Sequence, residues 1–426
     1  MDWLRNHTRH RRHASAALWI VLAVSPAIVA HAEAPAPLIA AGHPVKWWFV
    51  FKLNAGKFPK CAAAAVRACP FGGDVQTYTS FSQQYVYTSD ADPDTLATRP
   101  GLEAGGGCVG DTMQDPVGAT FDQIYHGSFH YIVWNDQFYK EPTLPSCSGD
   151  SCPSPWGHSK GLLVWGDAGD GMVMQVTTPS WPGAGNSTHP RAKDDNTLGC
   201  VINNNVKFSQ HFFALSLNHA DLLIVLRALG NASIATDPAD KQVVNNGGPA
   251  DVAALVSGLG KKSHSTQATI DDLSTGVRVI SKPSALHVPP WQLVSSLLQG
   301  TPLRTATWWT RPAIPTTNAR VDCWDSSLTH SPGRVEIATS GTWNGTDFSL
   351  KAGPAANGNH AKVGVSTDGS NLAIFGDMNQ QGAVSGNAKA CGVSQNGRGG
   401  LFFVVHDDSL AARVGSLLHG DTAPAN

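Results

Sequence analysis

Histidine and lysine lie two residues apart in the stretch "GHSKGLLVW", where His158 is followed by Ser159 and Lys160. In a β-strand, residues two apart point to the same side. An imidazole and an ammonium on one side can act together on a phosphate, because the ammonium neutralises the oxygens while the imidazole approaches phosphorus. The pair therefore predicts phosphoryl chemistry at the start of a strand.

The same stretch also fits G-x-S-x-G, a motif that presents a nucleophilic serine, here Ser159. That motif requires a strand, a tight turn and then a helix. Here a loop rich in turn formers, "SCSGDSCPSPW", comes first, and the apolar run "LLVW" after it favours a strand. The context disfavours a serine nucleophile.

A second histidine–lysine pair, His360 and Lys362, lies in "NHAKVGVSTDGSNLAIFGDM". Each pair opens an apolar run, followed by an Asp/Gly turn and another apolar run, which is the order strand, turn, strand. A third run follows in each half, "HFFALSL" and "GGLFFVVHDD". This repetition indicates an internal duplication that supplies two histidines, one as nucleophile and one as acid. We assign His158 as nucleophile and His360 as acid, although symmetry also permits the reverse.

Helical patterns lie between these strand clusters. "NHADLLIVLRALGN" and "PPWQLVSSLLQG" have apolar residues at near-helical spacing and end in stop signals, and "DVAALVSGLGKK" is a third such segment. Strands alternating with helices predict an α/β fold of the α+β layered type. We expect an N-terminal half at residues 37–217 and a C-terminal half at residues 218–426.

Residues 1–32 have the pattern of a signal peptide. Four arginines precede the apolar run "ALWIVLAVSPAIVA", which ends at Ala30-His31-Ala32. The pattern predicts export to the periplasm or medium, with an N-terminal anchor as the alternative. No other stretch reaches the length that a membrane requires.

The eight cysteines fit an exported, disulfide-bonded protein. Cys147 and Cys152 are close enough in sequence to close a local loop, and so are Cys61 and Cys69. Zinc ligation is the competing interpretation, but the chain has no two C-x-x-C pairs and its histidines are not at ligand spacing. We therefore expect no metal and no other cofactor.

The charge of the chain depends strongly on pH. Its formal net charge is −2, and it becomes −5 without residues 1–32, because four arginines and one aspartate leave. Such a charge disfavours nucleic-acid binding at neutral pH. Thirteen of the 17 histidines remain, and their full protonation would bring the charge to +8. A polyanion would therefore be attracted better in acid.

Taken together, these stretches resemble the deoxyribonuclease II family, a branch of the phospholipase D-like fold, over nearly the whole mature length. Besides the two His-x-Lys segments, the resemblance is carried by "HPVKWWFVFKLN" with Lys52, "FDQIYHGSFHYIVWNDQ" ending in Asn135, Asp136 and Gln137, "TWWTRP", and "GDMNQQG" with Asp377 and Asn379. A further histidine of the family pattern falls on Val176 here.

The resemblance implies two pseudo-symmetric phospholipase D-like halves, each a mixed β-sheet flanked by helices. It implies an endonuclease that cleaves DNA in acid without a divalent metal and leaves 3′-phosphate and 5′-hydroxyl ends. The implied catalytic residues are His158, Lys160, His360, Lys362 and Asn379. The implied substrate-binding residues are Lys52, Asn135, Asp136, Gln137 and Asp377.

Two other classes of function fit part of the pattern. One is a phospholipase D-like phosphodiesterase that acts on lipid. The other is an exported protein that binds DNA or glycan without catalysis and uses its Trp-rich strands as platforms. The chain has no strongly basic run, which argues against dedicated DNA capture. We expect DNA as the substrate, with no membrane partner.

Overall fold

The computed structural model describes residues 34–425, apart from 59–68, 73–83, 99–107, 146, 148, 193–195, 202, 204 and 354–355. The predicted signal peptide and Cys61 lie outside the described residues. The described strands are β1 Leu38–Ala40, β2 His43–Pro44, β3 Trp47–Lys52, β4 Tyr85–Ser89, β5 Asp92–Thr98, β6 His130–Asn135, β7 Lys160–Trp165, β8 Gly171–Val176, β9 Gln210–Leu217, β10 Val244–Asn245, β11 Thr269–Asp272, β12 Arg278–Lys282, β13 Leu303–Ala306, β14 Val335–Ile337, β15 Ser340–Trp343, β16 Thr346–Ser349, β17 Val363–Ser366, β18 Leu372–Gly376 and β19 Gly400–His406. The described α-helices are α1 Pro116–Tyr125, α2 His219–Asn231, α3 Ala250–Ser257, α4 Pro290–Leu297, α5 Ala388–Cys391 and α6 Asp408–Leu417.

Two large sheets organise these elements, as expected for an α+β layered fold. The first has the order β10-β6-β7-β8-β9-β3-β4-β5 and is antiparallel throughout. The second has the order β11-β12-β19-β18-β17-β13-β14 and is antiparallel except for the parallel pair β13–β14. Two hairpins, β1–β2 and β15–β16, lie outside the large sheets.

Five strands of each sheet follow the same order. In the first sheet they are β6-β7-β8-β9-β3, and in the second they are β13-β17-β18-β19-β12. One His-x-Lys segment leads into β7 and the other into β17, while α2 follows β9 and α6 follows β19. An internal duplication would produce this repeated order. The division of the chain at residues 217 and 218 stays a prediction. The short strand β10 follows that point in the chain but pairs with β6 of the first sheet.

Stacked aromatic rings join the two sheets. Phe49 and Phe213 of the first sheet stack on Phe375 of the second, with ring centroids 4.6 Å and 4.5 Å apart. All three rings are fully buried. Truncating a core phenylalanine to alanine typically costs about 3–5 kcal/mol, so this contact contributes strongly to holding the sheets together.

The predicted helices form where their sequence signals lie. Asn218 caps α2 by accepting a hydrogen bond from the backbone of Asp221, and the Asp221 side chain completes a capping box. Helix α4 also lies within a predicted segment and α3 begins one residue before its segment, whereas α1, α5 and α6 lie outside them. No helix in the described segments is long and apolar enough to cross a membrane.

Strand β7 begins at Lys160, so the residues after "GHS" form a strand and not a helix. Gly161 permits the close packing of this strand: a Cβ there would lie 2.5 Å from the ring of Trp134 and 2.6 Å from the carbonyl of Met174. Ser159 therefore lacks the strand–turn–helix context that a serine nucleophile requires.

Three disulfides lie within the described chain: Cys69–Cys200, Cys147–Cys152 and Cys323–Cys391. The predicted loop between Cys147 and Cys152 is confirmed. The prediction that Cys61 and Cys69 close a local loop is wrong, because Cys69 is bonded to Cys200, 131 residues further along the chain.

Candidate active site

The two His-x-Lys segments lie where the sheets meet. The backbone N–H of His158 donates to the carbonyl of Gly399 at 2.8 Å, and that of His360 donates to the carbonyl of Ser209 at 2.7 Å. Gly399 directly precedes β19 and Ser209 directly precedes β9. Each histidine is thus held by the segment that enters a strand of the opposite sheet.

The histidines and lysines form one electrostatic cluster. Burial lowers the pKa of His360 well below its ordinary value, and the charges of Lys362, Lys160 and His158 lower it further. Burial also lowers the pKa of His158, where Asp136 opposes the shift while Lys160 and Lys362 add to it. Both rings favour the neutral form until an anion arrives. A bound phosphate would offset the lysine charges and raise both pKa values.

A main-chain contact fixes the tautomer of His158. Its Nδ1 lies 2.8 Å from the backbone oxygen of Asp377. A carbonyl oxygen only accepts, so Nδ1 carries the hydrogen. In the neutral ring the lone pair then lies on Nε2. The contact therefore leaves Nε2 as the ring nitrogen that can accept a proton or attack an electrophile.

His360 has aromatic surroundings instead. Its ring stacks on Phe208 with centroids 5.0 Å apart and an interplanar angle of 14°. The ring of Trp308 meets it at 4.2 Å and 65°. Aromatic faces attract cations and so stabilise an imidazolium once it forms. The two histidines thus lie in different environments, one suited to a nucleophile and the other to a proton donor.

Lys160 is paired with a carboxylate. Its Nζ donates to Oδ1 of Asp136, and Nη2 of Arg398 donates to Oδ2 at 2.9 Å. Burial opposes the ionisation of Asp136, but the charges of Lys160, His158 and Arg398 outweigh it and hold the pKa of this carboxyl below its usual range. Asp136 therefore stays ionised and orients Lys160.

Arg398 is a site residue that the sequence patterns did not predict. It lies in "ACGVSQNGRGG", a glycine-rich segment with the appearance of a surface loop. In the structure its guanidinium reaches across to the first sheet, where it also donates to the carbonyls of Cys152 at 2.7 Å and Gly157 at 3.0 Å. Arg398 is far from the first His-x-Lys segment in sequence. It can be recognised as a site residue only when its loop is known to pack against that segment.

Lys362 differs from Lys160. Among the described residues its ammonium hydrogen-bonds to the carbonyl of His360, and no carboxylate forms an ion pair with it. Burial and the charge of Lys160 lower the pKa of Lys362 to about 7, against the opposing charges of Asp136 and Asp377. Lys362 consequently gains its full charge as the pH falls below 7. A phosphate oxygen would supply the missing anion.

Asp377 joins the second sheet to the first His-x-Lys segment. Its Oδ2 accepts hydrogen bonds from the hydroxyl of Ser159 at 2.6 Å and from the backbone N–H of Leu401 at 3.2 Å. Its Oδ1 is buried without a hydrogen-bond partner in the described part of the chain. Burial raises the pKa of Asp377 to about 7, although these hydrogen bonds and both lysines oppose the shift. Asp377 is therefore neutral in acid.

Ser159 serves this connection rather than nucleophilic attack. Its buried hydroxyl accepts from Nε1 of Trp134 at 2.8 Å and donates to Asp377. The hydroxyl proton is thus directed to a carboxyl group and not to a histidine base.

The remaining predicted residues have mostly internal partners. The buried side-chain amide of Asn135 donates to the carbonyls of Thr178 and Trp181 at 3.3 Å and 3.2 Å. Gln137 is half-buried, and its backbone N–H donates to the side-chain oxygen of Asn135 at 2.9 Å. These contacts hold the end of β6 in place. Roles of Asn135 and Gln137 toward DNA stay predictions.

Asn379 is buried at a turn after β18. Its side-chain amide donates to Oε1 of Gln381 at 3.0 Å, and its backbone N–H donates to Oε1 of Gln395 at 3.4 Å. Its Oδ1 is buried and has no hydrogen-bond partner within the described residues. The contacts that place Asn379 are therefore with Gln381 and Gln395. Its catalytic role stays a prediction.

Lys52 and Lys282 occupy equivalent places at the ends of β3 and β12. The buried ammonium of Lys52 donates to the carbonyls of Val206 and Phe208, just before the Ser209 carbonyl that holds His360. Lys52 could bind DNA, as predicted, only if its ammonium gave up these internal hydrogen bonds for bonds to the phosphates.

Lys282 makes the matching contacts in the second sheet. Its buried ammonium donates to the carbonyls of Asn396 at 2.8 Å and Arg398 at 2.9 Å, just before the Gly399 carbonyl that holds His158. Each lysine therefore braces the segment that positions one histidine. Neither lysine has a carboxylate among its hydrogen-bond acceptors in the described chain, and burial lowers the pKa of each to about 7.

A third histidine, His211, lies beside the cluster in a segment whose sequence pattern predicts only a strand. It is fully buried, and its Nδ1 accepts the backbone N–H of Lys362 at 3.1 Å. Val176, at the place of the family's further histidine, is buried in β8 and pairs with Phe212. His211 is therefore a neutral support for the second His-x-Lys segment.

Three basic side chains contribute positive charge near the histidines. The charges of Lys160 and Lys362 act on both histidines, and the charge of Arg398 acts on His158. Across the described residues, no group of three or more His, Cys, Asp or Glu side chains is arranged to hold a metal ion.

Two histidines, two lysines and an anchored carboxylate form a site suited to phosphoryl transfer. A family model, Deoxyribonuclease II, matches residues 38–397, which include both His-x-Lys segments. The chain belongs to the deoxyribonuclease II family. It is thus a deoxyribonuclease, a phosphodiester hydrolase whose substrate is DNA. No curated protein matches the chain in a sequence comparison.

Proposed function

We propose that this enzyme is an acid endodeoxyribonuclease that cleaves DNA through a phosphohistidine intermediate on His158. The observation that carries the proposal is the 2.8 Å contact from Nδ1 of His158 to the backbone oxygen of Asp377. It leaves Nε2 as the lone-pair nitrogen of a ring on which the charges of Lys160 and Lys362 act. Their ammonium groups would bind phosphoryl oxygens.

The reaction has two balanced steps. In the first, Nε2 of His158 attacks phosphorus and forms a P–N bond, the P–O5′ bond breaks, and His360 gives its proton to the departing O5′. In the second, water attacks phosphorus and gives a proton to His360, while the P–N bond breaks and restores neutral His158. The products are a 5′-hydroxyl and a 3′-phosphate.

Two buried groups support an acid preference. The pKa of Lys362 and the pKa of Asp377 are both about 7. As the pH falls below 7, Lys362 becomes an ammonium and Asp377 loses its negative charge. Both changes make the site more positive and favour binding of the phosphate anion. Protonation of His360 in the DNA complex acts in the same direction.

The proposal further includes cleavage without a divalent metal and export directed by residues 1–32. The test is nicking of supercoiled plasmid at pH 5 in EDTA, with the new ends identified by enzymatic labelling. We expect 5′-hydroxyl and 3′-phosphate ends, and a loss of about 10³-fold or more in His158→Ala and His360→Ala variants. Ends bearing 5′-phosphate, or activity that requires Mg²⁺, would refute the mechanism. Mass spectrometry of the protein recovered from the medium or periplasm tests cleavage near Ala32.

A further inference from the structure

An open cavity of about 500 Å³ lies beside His360. This volume is within the range of roughly 300–1,000 Å³ that is typical of small-ligand sites. No residue of its lining belongs to the His-x-Lys segments or to their ion pairs. The lining consists of Asn205, Lys207, Phe208, Trp308, Thr310, Ala352 and Gly353.

Two aromatic rings connect this cavity to His360. Phe208 and Trp308 both contact the imidazole, and their own ring centroids lie 5.4 Å apart at 78°. Phe208 is buried and forms the wall, whereas Trp308 is half-buried and lines the open space. The indole is therefore the aromatic surface that a ligand can reach.

The location of the cavity indicates which part of DNA would occupy it. In the proposed mechanism, on which this inference rests, His360 protonates the O5′ of the departing nucleotide. A ligand group within reach of Trp308 is then attached to that same nucleotide. Bases of single-stranded DNA stack on accessible aromatic side chains largely irrespective of sequence, because every base has a π-face.

We propose that Trp308 is the base-binding platform for the nucleotide whose O5′ leaves. The base stacks on the indole in the cavity lined by Lys207 and Phe208. Binding there requires the base to be turned out of a duplex stack. The site would therefore bind a nucleobase from either DNA strand without selecting among the four bases.

The experiment uses short oligonucleotides in which one phosphodiester can be cleaved and the others are methylphosphonates. The nucleotide downstream of that bond carries either a base or an abasic tetrahydrofuran. For the wild-type enzyme we expect loss of the base to lower kcat/KM by about 5–150-fold, the usual range for one stacked base. In Trp308→Ala the same change should lower it by less than about 3-fold, and Trp308→Phe should recover most of the wild-type penalty.

Comparing the two substrates separates stacking from damage to His360. If Trp308→Ala only disturbed His360, both substrates would slow equally and the abasic penalty would stay at its wild-type size. Trp343 offers a matched control, since it is half-buried and lines a different cavity with Ala412 and His419. Trp343→Ala should keep the wild-type penalty.

The results separate failure of the base-binding role of Trp308 from failure of the proposed cleavage mechanism. An abasic penalty of the same size in wild type and Trp308→Ala, or no penalty in the wild type, would overturn the base platform while 3′-phosphate ends and dependence on His158 persist. Loss of those ends or of that dependence would instead refute the proposed mechanism.

Discussion

At the scale of single residues, the two histidines differ in what fixes them. His158 is tied by Nδ1 to a backbone oxygen, whereas His360 lies between the rings of Phe208 and Trp308. Hydrogen bonding sets the tautomer of the first, and π-faces stabilise the charged form of the second. Equivalent positions in the sequence therefore acquire unequal chemistry from their neighbours.

The charge of Asp377 should affect how activity depends on pH. Burial raises its pKa to about 7, so it is protonated in acid and a carboxylate above neutrality. Asparagine is neutral at every pH and keeps an oxygen for the Ser159 hydroxyl. We expect Asp377→Asn to match wild-type kcat/KM within about 3-fold at pH 5 and to exceed it by about 10-fold at pH 8, because one negative charge near the phosphate is gone.

The matched control for that profile is Asp136→Asn. Its carboxyl stays ionised because of Lys160, His158 and Arg398. Its removal should therefore lower activity at every pH rather than reshape the profile. A pH profile of Asp377→Asn that superimposes on the wild-type curve would show that Asp377 does not set the acid preference.

At the scale of elements, the ends of β3 and β12 position the opposite histidines through Lys52 and Lys282. Methionine at either position fills similar volume but leaves buried carbonyls without a donor. Each unsatisfied group costs about 1–3 kcal/mol, and relief of the buried charge offsets part of this. Chemical denaturation should show both Lys52→Met and Lys282→Met to be destabilised by about 2–4 kcal/mol.

The two variants should differ in their chemistry. A DNA substrate whose scissile 5′ oxygen is replaced by sulfur has a leaving group that needs no proton. Lys52 braces the segment at His360. Replacing the oxygen by sulfur should therefore raise the kcat of Lys52→Met by about 10-fold or more. Lys282 braces the segment at His158, so Lys282→Met should not be restored. Equal restoration of both variants would contradict the assignment of each lysine to one histidine.

The sequence was sufficient for local structure. The apolar runs that follow the His-x-Lys pairs predict β7 and β17, and near-helical apolar spacing with a Gly-Asn end predicts α2. These features depend on neighbouring residues alone. The contact of His158 with Asp377 spans 219 residues and that of Arg398 with Asp136 spans 262, so both depend on how the sheets pack. Pattern alone contains no signal for such pairs.

At the scale of the whole molecule, buried histidines couple stability to pH. Burial lowers the pKa of His158, His211 and His360 in the folded state. Below the unfolded value of about 6.5, the unfolded chain therefore binds protons that the folded chain does not, and the free energy of unfolding falls with pH. Asp377 acts oppositely: its raised pKa lets the folded chain bind a proton between about 7 and 4.

His211→Asn tests this coupling, since asparagine keeps an acceptor for the backbone N–H of Lys362. One histidine contributes at most about 1.4 kcal/mol per pH unit. Between pH 6 and pH 5, the variant should lose about 1 kcal/mol less unfolding free energy than the wild type, measured by chemical denaturation. Parallel losses in both proteins would show that His211 does not titrate on unfolding.

In the proposed mechanism His158 becomes covalently bound to phosphorus. To detect this bond directly, the His360→Ala variant is mixed with a 5′-labelled oligonucleotide that carries one 5′-phosphorothiolate bond. The mixture is then denatured in alkali. The thiolate leaves without an acid, and the missing His360 cannot activate water, so the labelled upstream strand should remain attached to the protein. His158→Ala under the same conditions should carry no label. Label on His158→Ala, or cleavage by His360→Ala with no protein-bound strand, would show that His158 does not form the covalent intermediate.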